Sequence, residues 1–175
     1  MRQPVFWITG PPASGKSTTS VALLQRFERG IHVPVDDVRQ WVVKGLADSV
    51  PWTEETEQQF QVAERGICGL VRTYHEAGFA VVVDHCRNLT QLESVIGTEM
   101  PDLPVVRVCL VPELTVNLQR NHDRTNKTFD PHVLDETIQF TNDRFRLDRL
   151  ENWHFVDNTK LSVEETVDVI LRFTS

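Results

Sequence analysis

The chain has 175 residues, 40% hydrophobic and 25% charged, which is the size and make-up of one globular domain. Its 18 basic and 25 acidic residues leave a net charge of −7, which argues against a general nucleic-acid coat protein, though not against recognition of one strand end. The apolar runs are far shorter than the ~20 residues of a membrane span. The opening residues show no leader cleavage pattern, and Cys68, Cys86 and Cys109 are too scattered for a disulfide or zinc framework. A cytoplasmic protein without membrane contact is expected, as a monomer or weak dimer.

Val5-Phe6-Trp7-Ile8-Thr9 reads as a buried strand. A helix from Lys16 to about Arg29 should bury Val21, Leu24 and Phe27, with Gly30 at its end. Residues 31–35 form a second strand, in which Pro34 suggests an edge or a strand end. Asp37 to Leu46 reads as helical, with Val38, Trp41 and Val42 on one side. Thr53 caps a long helix with Glu54 and Glu55 in its first turn and a stripe of Phe60, Ala63, Ile67, Leu70 and Tyr74, ending at Gly78.

Residues 79–83 are continuously apolar, as in a central strand covered on both faces. Thr90 and Glu93 suggest a capping box for the next helix. Residues 105–111 form a strand, followed by a helix carrying Leu114 and Leu118. Residues 121–130 are polar and patternless. Asp130-Pro131 starts another helix, residues 155–156 a last strand, and Ser162 with Glu165 a capping box before Val167 and Ile170. Strict alternation of five strands with helices predicts one α/β domain over 1–175, a parallel sheet between helix layers.

Gly10-Pro11-Pro12-Ala13-Ser14-Gly15-Lys16-Ser17 satisfies G-x-x-x-x-G-K-[ST] between a predicted strand and a predicted helix. Glycines let the loop curl so that backbone N–H groups face a phosphate, and the following helix presents its positive end to the same anion. Lys16 is expected at the β- and γ-phosphates, the Ser17 hydroxyl on Mg²⁺ and Thr18 at the α-phosphate.

Two acidic sites fall at strand ends. Asp84 closes an apolar strand at the sheet edge where α/β folds bind ligands, and is expected to hold Mg²⁺. In Val35-Asp36-Asp37-Val38-Arg39, Asp37 is read as a helix cap, leaving Asp36 over the sheet edge to take the proton of an attacking hydroxyl. Arg39, one turn on, would pair with Asp36 or hold the acceptor.

With GPPASGKST at 10–18, VDDVR at 35–39, VVVDHCRN at 81–88, LVPELTVNLQRNHDR at 110–124 and FVDNTKLSVEETV at 155–167, the chain resembles the AAA-type P-loop kinases. That group includes chloramphenicol phosphotransferase, zeta toxin, phage polynucleotide kinase and, more distantly, gluconate, shikimate and adenylate kinases. The resemblance implies strand order 2-3-1-4-5, a short lid at about 121–131, and transfer of the ATP γ-phosphoryl group to a hydroxyl. It implies Asp36 as the catalytic base or an acceptor-binding residue; Asp36, Arg39, Asp84 and Arg87 are expected on the acceptor side. It further places Arg120 against adenine and Arg124 at the transferring phosphate, where a cation offsets charge on the equatorial oxygens. The lid departs from an arginine-rich pattern, leaving Lys127, Arg144 and Arg146 as candidates for a second phosphate contact.

The six histidines show no ligand spacing; His85, after Asp84, is read as lining the pocket. Cys109 reads as a buried small hydrophobe, and Trp41 and Trp52 as core residues more readily than as stacking platforms. A small-molecule kinase using ATP and Mg²⁺ accounts for every motif. A polynucleotide 5′-hydroxyl kinase gains from DDVR but lacks a basic surplus. An NTPase switch would want a water-positioning residue, and none stands out.

Overall fold

The computed structural model describes residues 3–124 and 130–174. β1 (Val5–Thr9) pairs in parallel with β3 (Ala80–Asp84) on one side and β4 (Val105–Leu110) on the other. β2 (Gly30–Pro34) flanks β3, and β5 (His154–Val156) flanks β4, giving the sheet order 2-3-1-4-5. Pro34, which has no N–H to donate, closes the edge strand, where its cost is smallest.

Alternation along the strands sorts the core into two halves. Val5 and Trp7, with Val81 and Val83, face one side; Phe6 and Ile8, with Ala80 and Val82, face the other. The first side is covered by α3 (Glu54–Glu76) and α4 (Leu89–Glu99), with Phe145 from α6 (Asp135–Leu147). The second is covered by α1 (Lys16–Leu24) and α7 (Val163–Leu171), through Leu23, Leu24, Val167 and Ile170. This is the expected three-layer arrangement. Among the described residues, no helix is long and apolar enough to cross a membrane.

Local chemistry sets the boundaries. Thr53 and Thr56 cap α3 reciprocally, Ser162 and Glu165 do the same for α7, and Gly78 takes φ +82° past the end of α3. α1 is shorter than its periodicity suggests, because Gln25, Arg26 and Phe27 tighten into i→i−3 bonds; Val21 is then 49% exposed, while Leu23 and Leu24 enter the core. The buried face of α3 runs Phe60, Ala63, Ile67, Val71 and His75, leaving Tyr74 at the surface.

Other expectations need correction. α2 (Val35–Arg39) has Pro34 at its cap position, so Asp36 and Asp37 both lie in its first turn and Asp37 caps nothing. Helix does not continue to Leu46. Gln59 donates to the Gly45 carbonyl and accepts from the Ala47 N–H, and Arg39 donates to the Ala47 carbonyl, fixing an irregular segment there. Trp41 and Trp52 are 66% and 50% exposed, so neither is a core residue. α4 is capped by Asn88 through the Thr90 N–H, while the Glu93 carboxylate accepts from Arg107 and Trp153. α5 (Leu114–His122) consumes the start of the patternless stretch and buries Asn121. Asp130 opens a 3₁₀ turn (Pro131–Leu134) before α6. Lid residues 125–129, Lys127 among them, lie outside the described residues.

Candidate active site

The loop between β1 and α1 is built from positive-φ residues: Gly10 at +143°, Ala13 at +61° and Gly15 at +95°. A Cβ on Gly10 would stand 2.3 Å from the Leu110 carbonyl oxygen, so a side chain there collides with backbone. Ala13 bears a side chain in the left-handed region, at a cost of about 1–3 kcal/mol. Two buried asparagines brace the loop from outside, Asn117 donating to the Pro12 carbonyl at 2.6 Å and Asn158 to that of Ser14 at 3.0 Å. No side chain caps α1, so its first N–H groups face the loop as an anion cradle. Lys16 Nζ folds over the loop, 3.0 Å from the Gly10 carbonyl and 2.9 Å from that of Pro11. Ser14 Oγ is buried without a hydrogen-bond partner.

A cleft of about 370 Å³ opens beside this cradle, lined by Lys16, Ser17, Thr18, Arg120, Arg124 and Asn158 among others. Arg120 reaches the Asn158 carbonyl at 3.0 Å, which orients its guanidinium along the cleft wall. The Arg124 guanidinium has no hydrogen bond or ion pair among the described residues, and burial lowers its pKa.

Asp84 is 6% exposed at the end of β3, with Oδ2 2.8 Å from His32 Nε2. Burial alone would raise its pKa. The His32 bond, the Lys16 charge and the Ser17 hydroxyl outweigh that and hold it below the usual carboxylate range. Ser17 and Asp84 therefore stand together as two hard oxygen donors, a set suited to Mg²⁺.

Asp36 projects from the first turn of α2 with its side chain 66% exposed and Oδ1 4.0 Å from His85 Nδ1. His85 is buried beneath it: Nε2 lies 2.9 Å from Glu64 Oε1, its ring stacks on Phe60 at 5.4 Å, and Nδ1 has no hydrogen-bond partner. Phe60 in turn stacks on Trp52 at 5.1 Å.

The acceptor-side arginines are bound internally. Arg87 donates through Nε to Glu64 at 2.7 Å and through its other nitrogens to Glu57 at 2.9 and 2.6 Å. Arg39 donates to the Ala47 carbonyl and Ser49 hydroxyl, both at 2.8 Å, and lies over the Phe60 ring rather than on Asp36. Arg144 pairs with Asp148 at 2.8 Å, and Arg146 holds the Val111 and Pro112 carbonyls, so neither lines the phosphate cleft. A second cleft, about 410 Å³, lies where the chain leaves β3, between Cys86, Arg87, Trp52, Phe140, Phe145 and Arg144.

Sequence reasoning passed over Glu57, Glu64, Asn117 and Asn158. Glu64 had left a trace: it lies four residues after Phe60 and three before Ile67, on the helix face that had to be buried.

A phosphate cradle between the central strand and α1, a carboxylate ending the neighbouring strand and the order 2-3-1-4-5 define a P-loop fold. The chain belongs to an AAA domain family, AAA_33, which it matches over residues 5–147. None of the curated proteins matches it in sequence. In fold it is similar to the tunicamycin resistance protein of Deinococcus radiodurans, at TM-score 0.71 and 19% identity over 99% of this chain and 96% of that one. It is likewise similar to a sugar kinase from Janibacter sp. HTCC2649, at TM-score 0.71 and 16% identity over 98% and 94% of the two chains. A gluconokinase from Sinorhizobium meliloti 1021 follows at TM-score 0.68 and 18% identity, over 98% and 91%.

Proposed function

We propose that this protein is a kinase that transfers the γ-phosphoryl group of ATP to a hydroxyl of a small, uncharged molecule. The observation that carries this reading is Asp36, a solvent-facing carboxylate with no hydrogen bond among the described residues, set at the sheet edge beside a complete phosphate cradle. Such a carboxylate can take the proton of an attacking hydroxyl, and the cleft of about 410 Å³ where the chain leaves β3 gives an acceptor room that an NTPase does not require.

In this mechanism the loop N–H groups and Lys16 grip the triphosphate, and Arg120 flanks the base. Ser17 and Asp84 would hold Mg²⁺, which would supply positive charge against the phosphates. Asp36 orients the acceptor hydroxyl and takes its proton, while Arg124 balances charge that spreads over the transferring group. The second cleft supplies the acceptor's seat, with Trp52 and Phe140 as exposed aromatic walls. Its two arginines are already neutralised, by Glu57 and Glu64 and by Asp148, which favours a neutral acceptor over a nucleic-acid end. The kinases among the similar structures support the reaction class.

The test is Asp36→Asn, assayed by ADP release against neutral sugars, nucleosides, hydroxylated antibiotics and 5′-hydroxyl oligonucleotides, with ATP affinity measured by calorimetry. ATP affinity should stay near normal while transfer slows by about 10²–10⁴-fold. Lys16→Ala should lose ATP itself. Full transfer by Asp36→Asn would remove the base from the mechanism.

A further inference from the structure

His122 and His132 are separated in sequence, yet the fold sets them on one carboxylate. His122 Nε2 lies 2.9 Å from Asp135 Oδ1 and 3.1 Å from Oδ2; His132 Nδ1 lies 3.0 Å from Oδ2. The two imidazole rings stand 4.2 Å apart between centroids. One ligand-capable atom from each of the three residues falls within 4.8 Å of the others.

We propose that His122, His132 and Asp135 form a binding site for a divalent transition metal of the zinc class, distinct from the Mg²⁺ donors at the phosphate loop. The donor spacing is within reach of an ion. Four ligands at ~2.0–2.1 Å around a tetrahedral ion stand ~3.3 Å from one another, against 2.9–3.1 Å from each imidazole to Asp135 and no more than 4.8 Å across the set, so turning of these side chains suffices to replace the present hydrogen bonds with an ion. The donor types fit as well. Two imidazoles and a carboxylate suit Zn²⁺, Co²⁺ or Ni²⁺, whereas Mg²⁺ prefers oxygen alone. The side chains of His122 and Asp135 are each 33% exposed and that of His132 67%, so the ion has an entry path and water can fill a fourth position.

The site is also organised without metal. His122 ends α5, Asp135 opens α6, and His132 lies in the 3₁₀ turn whose backbone Asp130 caps at 3.0 Å. Buried Asn121 ties the two sides together, donating to the Pro131 carbonyl at 2.7 Å and approaching Asp135 at 3.5 Å. A bound ion therefore bridges elements already in register. It would fix the end of α5 from which Arg124 follows two residues later.

The experiment uses the full chain, stripped with chelator and titrated with Zn²⁺ alone by calorimetry, with Co²⁺ as a spectroscopic probe and Mg²⁺ in excess throughout. One equivalent should bind, Co²⁺ should show the visible bands of a tetrahedral site, and Zn²⁺ should raise the melting temperature. His132→Ala, a largely exposed position, should fold normally and lose all three responses, as should His122→Ala. His154→Ala, on a distant strand, should keep them. Failure of the wild-type protein to bind either ion would leave only a hydrogen-bonded cluster and overturn the proposal. So would binding that survives His132→Ala.

Discussion

Changing Glu64 to Gln would remove one charge from a deeply buried ionic cluster while keeping its volume. Glu64 is 1% exposed and accepts from Arg87 Nε at 2.7 Å, with His85 Nε2 2.9 Å away. Hydrogen bonds involving a charged group contribute about 1.5–3 kcal/mol each. Complete orphaning of a buried ion costs about 3–5 kcal/mol. Arg87 is not orphaned, because Glu57 still holds it through two bonds of 2.9 and 2.6 Å. The loss should therefore fall at about 2–3 kcal/mol, read from urea unfolding as a lower midpoint at unchanged m-value. Glu57→Gln alone should cost less, since that carboxylate is partly solvated. Together the two changes strip Arg87 of every carboxylate, and the double variant should lose about 1 kcal/mol or more beyond the sum of the singles. A Glu64→Gln protein within about 0.5 kcal/mol of wild type, or strict additivity, would refute the shared-arginine account.

Gly10→Ala should destabilise the protein by about 1–3 kcal/mol and abolish ATP binding in a calorimetric titration, because its Cβ collides with the Leu110 carbonyl. Arg124→Ala should lower kcat more than it weakens ATP binding in steady-state and titration measurements, since its charge is needed most as the phosphoryl group moves. Hydrogen bonding from Arg87 pulls the Glu57 pKa down from 4.5 to about 2, so its stabilising contribution is complete above the unfolded value and lost as pH falls from 4.5 towards 2. The stability gap between wild type and Glu57→Gln, followed by urea midpoints across acid pH, should close over that window and stay constant above it.

The phosphate loop was legible because its chemistry is contiguous: turn, glycines, lysine and hydroxyl follow one another in eight positions. Strand order came from the resemblance, and each strand's burial from its own apolar run. What sequence could not show was where long side chains would end. Arg87 meets its carboxylates 23 and 30 residues away, across a helix and a strand. Val38, Trp41 and Val42 keep a helical period, but Gly45 takes φ +82°, and Gln59 and Arg39 hold the irregular backbone at Gly45 and Ala47 in place. At Thr90 the capping pattern was present, and Asn88, two residues earlier, took the same N–H. The pattern at Ser162 held, with Ser162 and Glu165 each accepting the other's N–H. His122 and His132 meet only because α5 ends where the turn into α6 begins.

The order of strands also divides the site mechanically. The phosphate cradle issues from β1, paired along both sides in the middle of the sheet. Asp36 issues from β2, paired along one side only, and from the short helix that follows it. On the proposed function, the nucleotide would be gripped from the most fully paired part of the sheet, and the proposed base mounted on its margin. Fewer ladder bonds restrain the margin, so strain imposed by an awkward acceptor would be taken up on the Asp36 side rather than at the phosphate cradle. On the proposed function, a change of acceptor would be accommodated on that side, at residues 35–52 and in the cleft lined by Trp52, Arg87 and Phe140, with the phosphate cradle left as it stands.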